Sequence, residues 1–173
     1  MYKIAITGHT RGFGKYMFRH LFEDGHEVLG FSKSTGYDIT NKKHRESIIE
    51  QAEEFDIFIN CAQARFAQTE LLYNLFDKWD TQKKMIINIG SNARDFTNKN
   101  QPYKYGVQKL ALNHASKQLG RAGICKVVTM DYGYLIRDQG SSIGYDDAYF
   151  YIDVILQSFT KNHRLLEILV AHE

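Results

Sequence analysis

Two side chains four positions apart carry the clearest chemistry in this sequence: Tyr105 and Lys109, in the run Tyr105-Gly-Val-Gln-Lys109. On a helix that spacing puts a phenol and an ammonium on one face. A free phenol has a pKa of about 10, so it needs help from its surroundings before it trades protons near pH 7. The pattern alone is weak, since this composition gives roughly one chance occurrence per chain. Its weight comes from order. Ser91 closes a strand-like run 14 positions earlier, and a glycine-rich turn opens the chain. That turn reads Thr7-Gly8-His9-Thr10-Arg11-Gly12-Phe13-Gly14. Its glycines let the backbone turn tightly and approach a pyrophosphate, while a following helix would offer free N–H groups and a positive dipole end.

These residues need a frame, and the chain supplies one. Short apolar runs alternate with longer helical patterns. Strands are expected at 4–7, 27–31, 56–60, 84–90, 124–131 and 165–170, with a very short extra one at 34–38. Helices are expected at 13–24, 41–54 (capped by Thr40 or Asn41), 66–80, 103–119 and 146–160. The strand runs are apolar on consecutive positions, as when helices cover both faces. The expected architecture is a three-layer α/β/α, doubly wound parallel sheet of Rossmann type, with strand order 3-2-1-4-5-6-7.

The 173 residues suit a single domain, 1–173, with no linker or repeat. A chain of this size buries about 70% of its unfolded surface and needs no disulfide or metal staple. With 43% hydrophobic and 24% charged residues it is neither disordered nor fibrous. No apolar run reaches the roughly 18 residues of a membrane span. The formal net charge of +2, with signs interspersed, does not point to a nucleic-acid binder. Cys61 and Cys125 read as free thiols. The first residues already follow a strand pattern, which leaves no room for a signal peptide, so a cytoplasmic location is expected. The seven histidines are scattered without metal-ligand spacing, so no metal is expected.

The glycine spacing resembles the short-chain dehydrogenase/reductase family, classical branch, and the resemblance runs in order along the chain. Asp38-Ile39 is similar to the family's pair beside the adenine, and Asn60-Cys61-Ala62-Gln63 to its Asn-Asn-Ala-Gly segment. Ile87-Asn88-Ile89-Gly90-Ser91 resembles the strand ending in the active-site serine, and Tyr105 to Lys109 its YxxxK. Asp131-Tyr132-Gly133-Tyr134-Leu135 stands where Asn-Pro-Gly-x-Val is usual. The resemblance implies hydride transfer between a nicotinamide cofactor and a carbonyl or alcohol. Tyr105 would be the general acid/base, its pKa lowered by Lys109 and the nicotinamide charge. Ser91 would polarise the substrate oxygen, and Lys109 would also hold the ribose hydroxyls. The implied fourth member is Asn74, on the helix before the serine strand. The implied cofactor contacts are Gly8, Thr10, Arg11, Gly12, Phe13, Gly14, Ser32, Lys33, Asp38, Ile39, Asn60, Cys61, Ala62, Tyr105, Lys109, Gly133 and Leu135.

At the end of the second strand, Phe31-Ser32-Lys33-Ser34 offers no acid for a ribose 2′-hydroxyl, the mark of NAD(H). Arg11, Lys33 and Ser32 suit a 2′-phosphate instead, which favours NADP(H) over NAD(H). The chain is short for this family, and the missing length falls where relatives build their substrate region. Candidate walls for a small-molecule carbonyl or alcohol are residues 92–103, residues 134–142 and the aromatics Tyr145, Tyr149, Phe150 and Tyr151, which also suit a core or dimer interface. Arg137 stands where a threonine often meets the carboxamide. The family suggests a homodimer. Two other readings stay open: a non-catalytic NADP(H)-binding sensor or interaction module, and a nucleotide-sugar epimerase or dehydratase.

Overall fold

Ile4, Ala5 and Ile6 are wholly buried at consecutive positions, as are Ile57, Phe58 and Ile59. Such runs require cover on both faces of the sheet. The computed structural model describes residues 1–96, 103–135 and 143–171. Strands β1 (Lys3–Thr7), β2 (Glu27–Phe31), β3 (Ile57–Asn60), β4 (Met85–Ile89), β5 (Lys126–Tyr132) and β6 (Glu167–Val170) form one parallel sheet in the order β2-β1-β3-β4-β5-β6. In register, Ile6 lies beside Ile59, Ile59 beside Ile87, and Ile87 beside Val128. The C-terminal ends of the central strands therefore emerge along one edge.

Helices α1 (Gly12–Glu23) and α5 (Tyr145–Gln157) cover one face, with Met17, Leu21, Ile152 and Ile155 over Ile4, Ile6, Ile57 and Ile87. Helices α2 (Lys42–Ala52), α3 (Ala67–Trp79) and α4 (Lys104–Leu119) cover the other, with Ile48, Leu71, Trp79 and Leu112 against Ala5, Phe58 and Ile86. The strand order changes direction between β1 and β3, and a crevice at such a switch point is where open α/β sheets bind ligands. The layers and parallel sheet agree with the sequence reading, and element ends differ by a few residues. Asn41 is the α2 cap, its side chain accepting from the Lys43 amide at 2.9 Å. No helix among the described residues is long and apolar enough to cross a membrane.

One strand of the seven is missing. Residues 33–35 form a 3-10 turn (Lys33–Thr35) rather than part of an edge strand at 34–38. The Ser32 and Thr35 side chains cap each other's backbone, and Gly36 ends the turn at φ +93°. Local hydroxyls satisfy the backbone groups that a strand would have offered to a neighbour. Without that outer strand the remaining order is the expected one. The aromatic group divides as well. Tyr149 packs in the core against Tyr16 and His20 of α1, and Tyr145 against Phe13. Phe150 is exposed beside Tyr151. Arg137 and much of both expected walls lie outside the described residues.

Candidate active site

The turn after β1 is shaped by its glycines. Gly8 has φ +79° and donates its N–H to the Phe31 carbonyl at 2.7 Å. A side chain at Gly14 would collide with the Gly8 carbonyl. Gly12 starts α1 at φ +54°, and Arg11 before it provides no side-chain cap. The first turn of α1 holds no acid. Its N–H groups are therefore left to an external acceptor, and the dipole favours an anion there. Phe13, in that first turn, is turned into the core against Tyr132. Thr7 is buried, and its Oγ1 accepts the amides of Cys61 and Ala62, both at 3.0 Å. This ties the exit of β3 to the glycine turn. Burial pushes the Cys61 thiol up to about 11, so it stays neutral.

Beside this turn lies the exit of β2. Ser32 is buried, its Oγ lies 2.9 Å from that of Ser34, and Ser34 donates to Thr10 at 3.0 Å. Lys33 sits 2.9 Å from Asp38. Lys33, with the amide and hydroxyl of Thr40, holds the Asp38 carboxyl well below the usual range. Ile39 turns into the core and its carbonyl accepts from Arg45 at 2.7 Å. Lys33 is thus already matched by a carboxylate, whereas Arg11 has none among the described residues.

Ser91 follows β4 and caps a 3-10 turn, Asn92–Asp95. Its Oγ accepts the Ala93 amide at 3.2 Å, leaving the hydroxyl proton free. That hydroxyl faces the Tyr105 phenol closely enough to favour its ionised form. Lys109 is 3% exposed and donates to Gln68 Oε1 at 2.9 Å and the Ile89 carbonyl at 2.8 Å. Burial pushes Lys109 down to about 8. The balance on Tyr105 differs from the expectation that Lys109 lowers it. Burial raises the phenol on balance, and the Ser91 hydroxyl opposes that rise. The Lys109 Nζ lies 5.7 Å from the centre of the Tyr105 ring. Gln63 donates to Gln108 at 2.7 Å, so the exit of β3 touches α4 as well as the glycine turn.

Asn74 does not join this group. It lies on the exposed side of α3, lining a cleft of about 460 Å³ with Glu46, Glu50 and Asp77. The residue of α3 that meets Lys109 is Gln68, in its first turn. Six residues of helix separate the two, which turns Asn74 about 120° away. Gln68 also donates to the Asn60 carbonyl at 2.7 Å and to Ile89 at 3.1 Å. Asn60 in turn donates to the Gln68 carbonyl at 2.9 Å and to Asn88 at 3.0 Å, so its side chain belongs to a buried polar ladder. Gln68 was detectable: it is a polar residue at the apolar spacing of Leu71, Leu72 and Leu75.

The exit of β5 completes the edge. Tyr132 is buried and donates to the Ala148 carbonyl at 2.6 Å. Gly133 donates to Val170 at 2.8 Å, and Leu135 pairs with Ile143. Asp131 is fully buried beside Gly90, where a side chain would overlap its carboxylate.

No family model and no curated protein matches the sequence. The fold does match solved structures. A 3-ketoacyl-(acyl-carrier-protein) reductase from Brucella melitensis, complexed with NADH, superposes with a TM-score of 0.77 at 17% identity, over 98% of this chain and 96% of that one. A short-chain dehydrogenase/reductase from Vibrio parahaemolyticus gives 0.73 at 16%, over 98% and 99%. An alcohol dehydrogenase from Thermococcus sibiricus, complexed with 5-hydroxy-NADP, gives 0.74 at 13%, over 97% and 95%. At such identities the likeness speaks for the fold, and the fold of this chain is that of the short-chain dehydrogenases and reductases.

Proposed function

We infer that this chain is an NADP(H)-dependent oxidoreductase that interconverts a small-molecule carbonyl and its alcohol. The observation that carries the reading is the meeting of Ser91, Tyr105 and Lys109 at one edge of the sheet, linked by residues 61–63 to a glycine turn built for a pyrophosphate. A bound NADPH would supply the hydride that reaches the carbonyl carbon. Tyr105 gives its proton to the carbonyl oxygen, so carbonyl, hydride and proton together make the alcohol. Ser91 donates its free hydroxyl proton to the same oxygen and holds it near the phenol. Lys109 has spent two of its three N–H groups on Gln68 and Ile89, and the third serves the ribose hydroxyls. Preference for NADP(H) rests on the absence of an acid at the end of β2, on the hydroxyls of Thr10, Ser32 and Ser34, and on Arg11.

The test is NADPH consumption, followed by absorbance, with a panel of aldehydes and ketones. Wild type is expected to turn over at least one. Tyr105→Phe should lose about 100-fold or more. An equally active Tyr105→Phe would remove the assigned acid. An enzyme that binds NADPH but reduces nothing would favour the sensor or interaction module.

A further inference from the structure

Behind Ser91 lies a buried ion cluster that the reaction does not use. Arg94, the third residue of the turn that Ser91 caps, has a side chain only 9% exposed. Its guanidinium pairs with Asp131 of β5 and with Glu167 of β6. Asn113 of α4 donates to Asp131 at 3.1 Å and to Glu167 at 3.0 Å. Lys117, one turn further along α4, reaches Glu167 at 2.8 Å. Asp95 of the same turn, mostly exposed, also lies 3.5 Å from the guanidinium, so two cations and three carboxylates join the Ser91 turn, α4 and the last two strands. The other Asp131 oxygen, Oδ1, is buried against Gly90.

The opposite side of the turn is held just as closely. A Cβ on Gly106 would lie 2.6 Å from the Ala93 carbonyl, so the helix backbone next to Tyr105 rests directly on the turn. The turn is gripped between the helix that carries the phenol and the ion cluster behind it. A whole buried ion cluster, cations and carboxylates together, could be replaced by packed apolar side chains with little loss of stability, so stability alone does not account for it. A forked, planar cation does fix direction, because its two ends must meet two acceptors at once.

We propose that Arg94 and Asp131, with Glu167, are positioning residues that hold the Ser91 hydroxyl against Tyr105. The proposal rests on the oxidoreductase reading for its purpose, but its geometry can be tested without turnover. Arg94 acts here through Ser91 and touches no substrate. Burial raises Asp131, while Glu167, against its own burial, is held low by Lys117, Arg94 and Asn113.

The experiment is a double-mutant cycle read at Tyr105 itself. Protein labelled with 3-fluorotyrosine is titrated by 19F NMR, and Tyr105→Phe identifies the resonance. Ser91→Ala is expected to raise the Tyr105 midpoint, because the phenolate loses its hydroxyl donor. Arg94→Met should raise it too, and the two together should give no more than Ser91→Ala alone. General loosening would instead lower the midpoint, by relieving burial. The proposal is overturned if Arg94→Met leaves the midpoint unchanged, lowers it, or adds fully to Ser91→Ala. If near-ultraviolet circular dichroism shows that Arg94→Met does not fold, Arg94→Lys takes its place. That variant keeps the charge and loses the fork, and it should shift the midpoint in the same direction by less. NADPH titration of the same samples separates the two ideas: absent binding would sink the oxidoreductase reading and leave the cycle interpretable.

Discussion

Gln68 and Gly106 set the positions of Lys109 and Tyr105 without being reactive themselves. Gln68 gives the buried ammonium one of its two protein acceptors. Gln68→Ala is therefore expected to cost about 1–3 kcal/mol, the usual loss when a buried polar group is orphaned, as read by urea unfolding. A change within about 0.5 kcal/mol would contradict this account of the lysine pocket. Gly106 owes its place to close approach, since a methyl there would meet the Ala93 carbonyl at 2.6 Å. Gly106→Ala should push the Ser91 turn away and reduce turnover more than it reduces NADPH affinity. Equal losses in both would mean that the turn is not what the glycine protects. The acid/base charge on Lys109 gives a further expectation. Because burial brings it down to about 8, the ammonium is intact below that pH and lost above it. NADPH affinity should fall as pH rises through about 8 in wild type. Lys109→Met should bind weakly throughout, without that step.

At the scale of elements, the glycine turn was legible because backbone geometry leaves few residues able to build it. Gly8 and Gly12 have positive φ, and Gly14 faces a carbonyl. Gly14→Ala is expected to abolish nucleotide binding while the sheet still folds, seen as lost NADPH fluorescence response with unchanged far-ultraviolet circular dichroism. Retained binding would show that the turn tolerates the methyl and that its close packing is incidental. The Tyr105–Lys109 face was legible from helical period, and Ser91 from its place after an apolar strand. Gln68, not Asn74, meets Lys109, and a position in the sequence says little about which way a helix turns. The edge strand expected at 34–38 does not form because Ser32, Ser34 and Thr35, though compatible with a strand, bond their own neighbourhood. The ion cluster was not legible at all. Arg94 and Asp131 lie 37 residues apart, and only the pairing of β4 with β5 brings their ends together.

For the whole molecule, the cluster joins the turn after β4 to β5, β6 and α4, and its protons should report on folding. Burial pushes Asp131 up to about 6, above the value of about 3.9 for an unfolded chain. The folded state then binds this proton more tightly than the unfolded one. Its contribution favours folding increasingly as pH falls from about 6 toward 4, and is an unrelieved cost above 6. Glu167, held at about 2, works in the opposite sense and loses its contribution below about 4.5. The Tm of wild type relative to Asp131→Asn should therefore rise as pH is lowered from 7 to 5, measured by calorimetry. A constant difference across that window would mean that Asp131 keeps an ordinary affinity for its proton.

On the proposed function, the glycine turn and the exit of β2 hold a nicotinamide dinucleotide phosphate. The most direct measurement is fluorescence titration of NADPH and NADH with wild type, Arg11→Ala, Lys33→Ala and the double variant. NADPH is expected to bind more tightly than NADH, with a larger loss for Arg11→Ala than for Lys33→Ala because Asp38 already matches Lys33, and no preference left in the double variant. Failure to bind either nucleotide, or an NADPH preference untouched in the double variant, would contradict it.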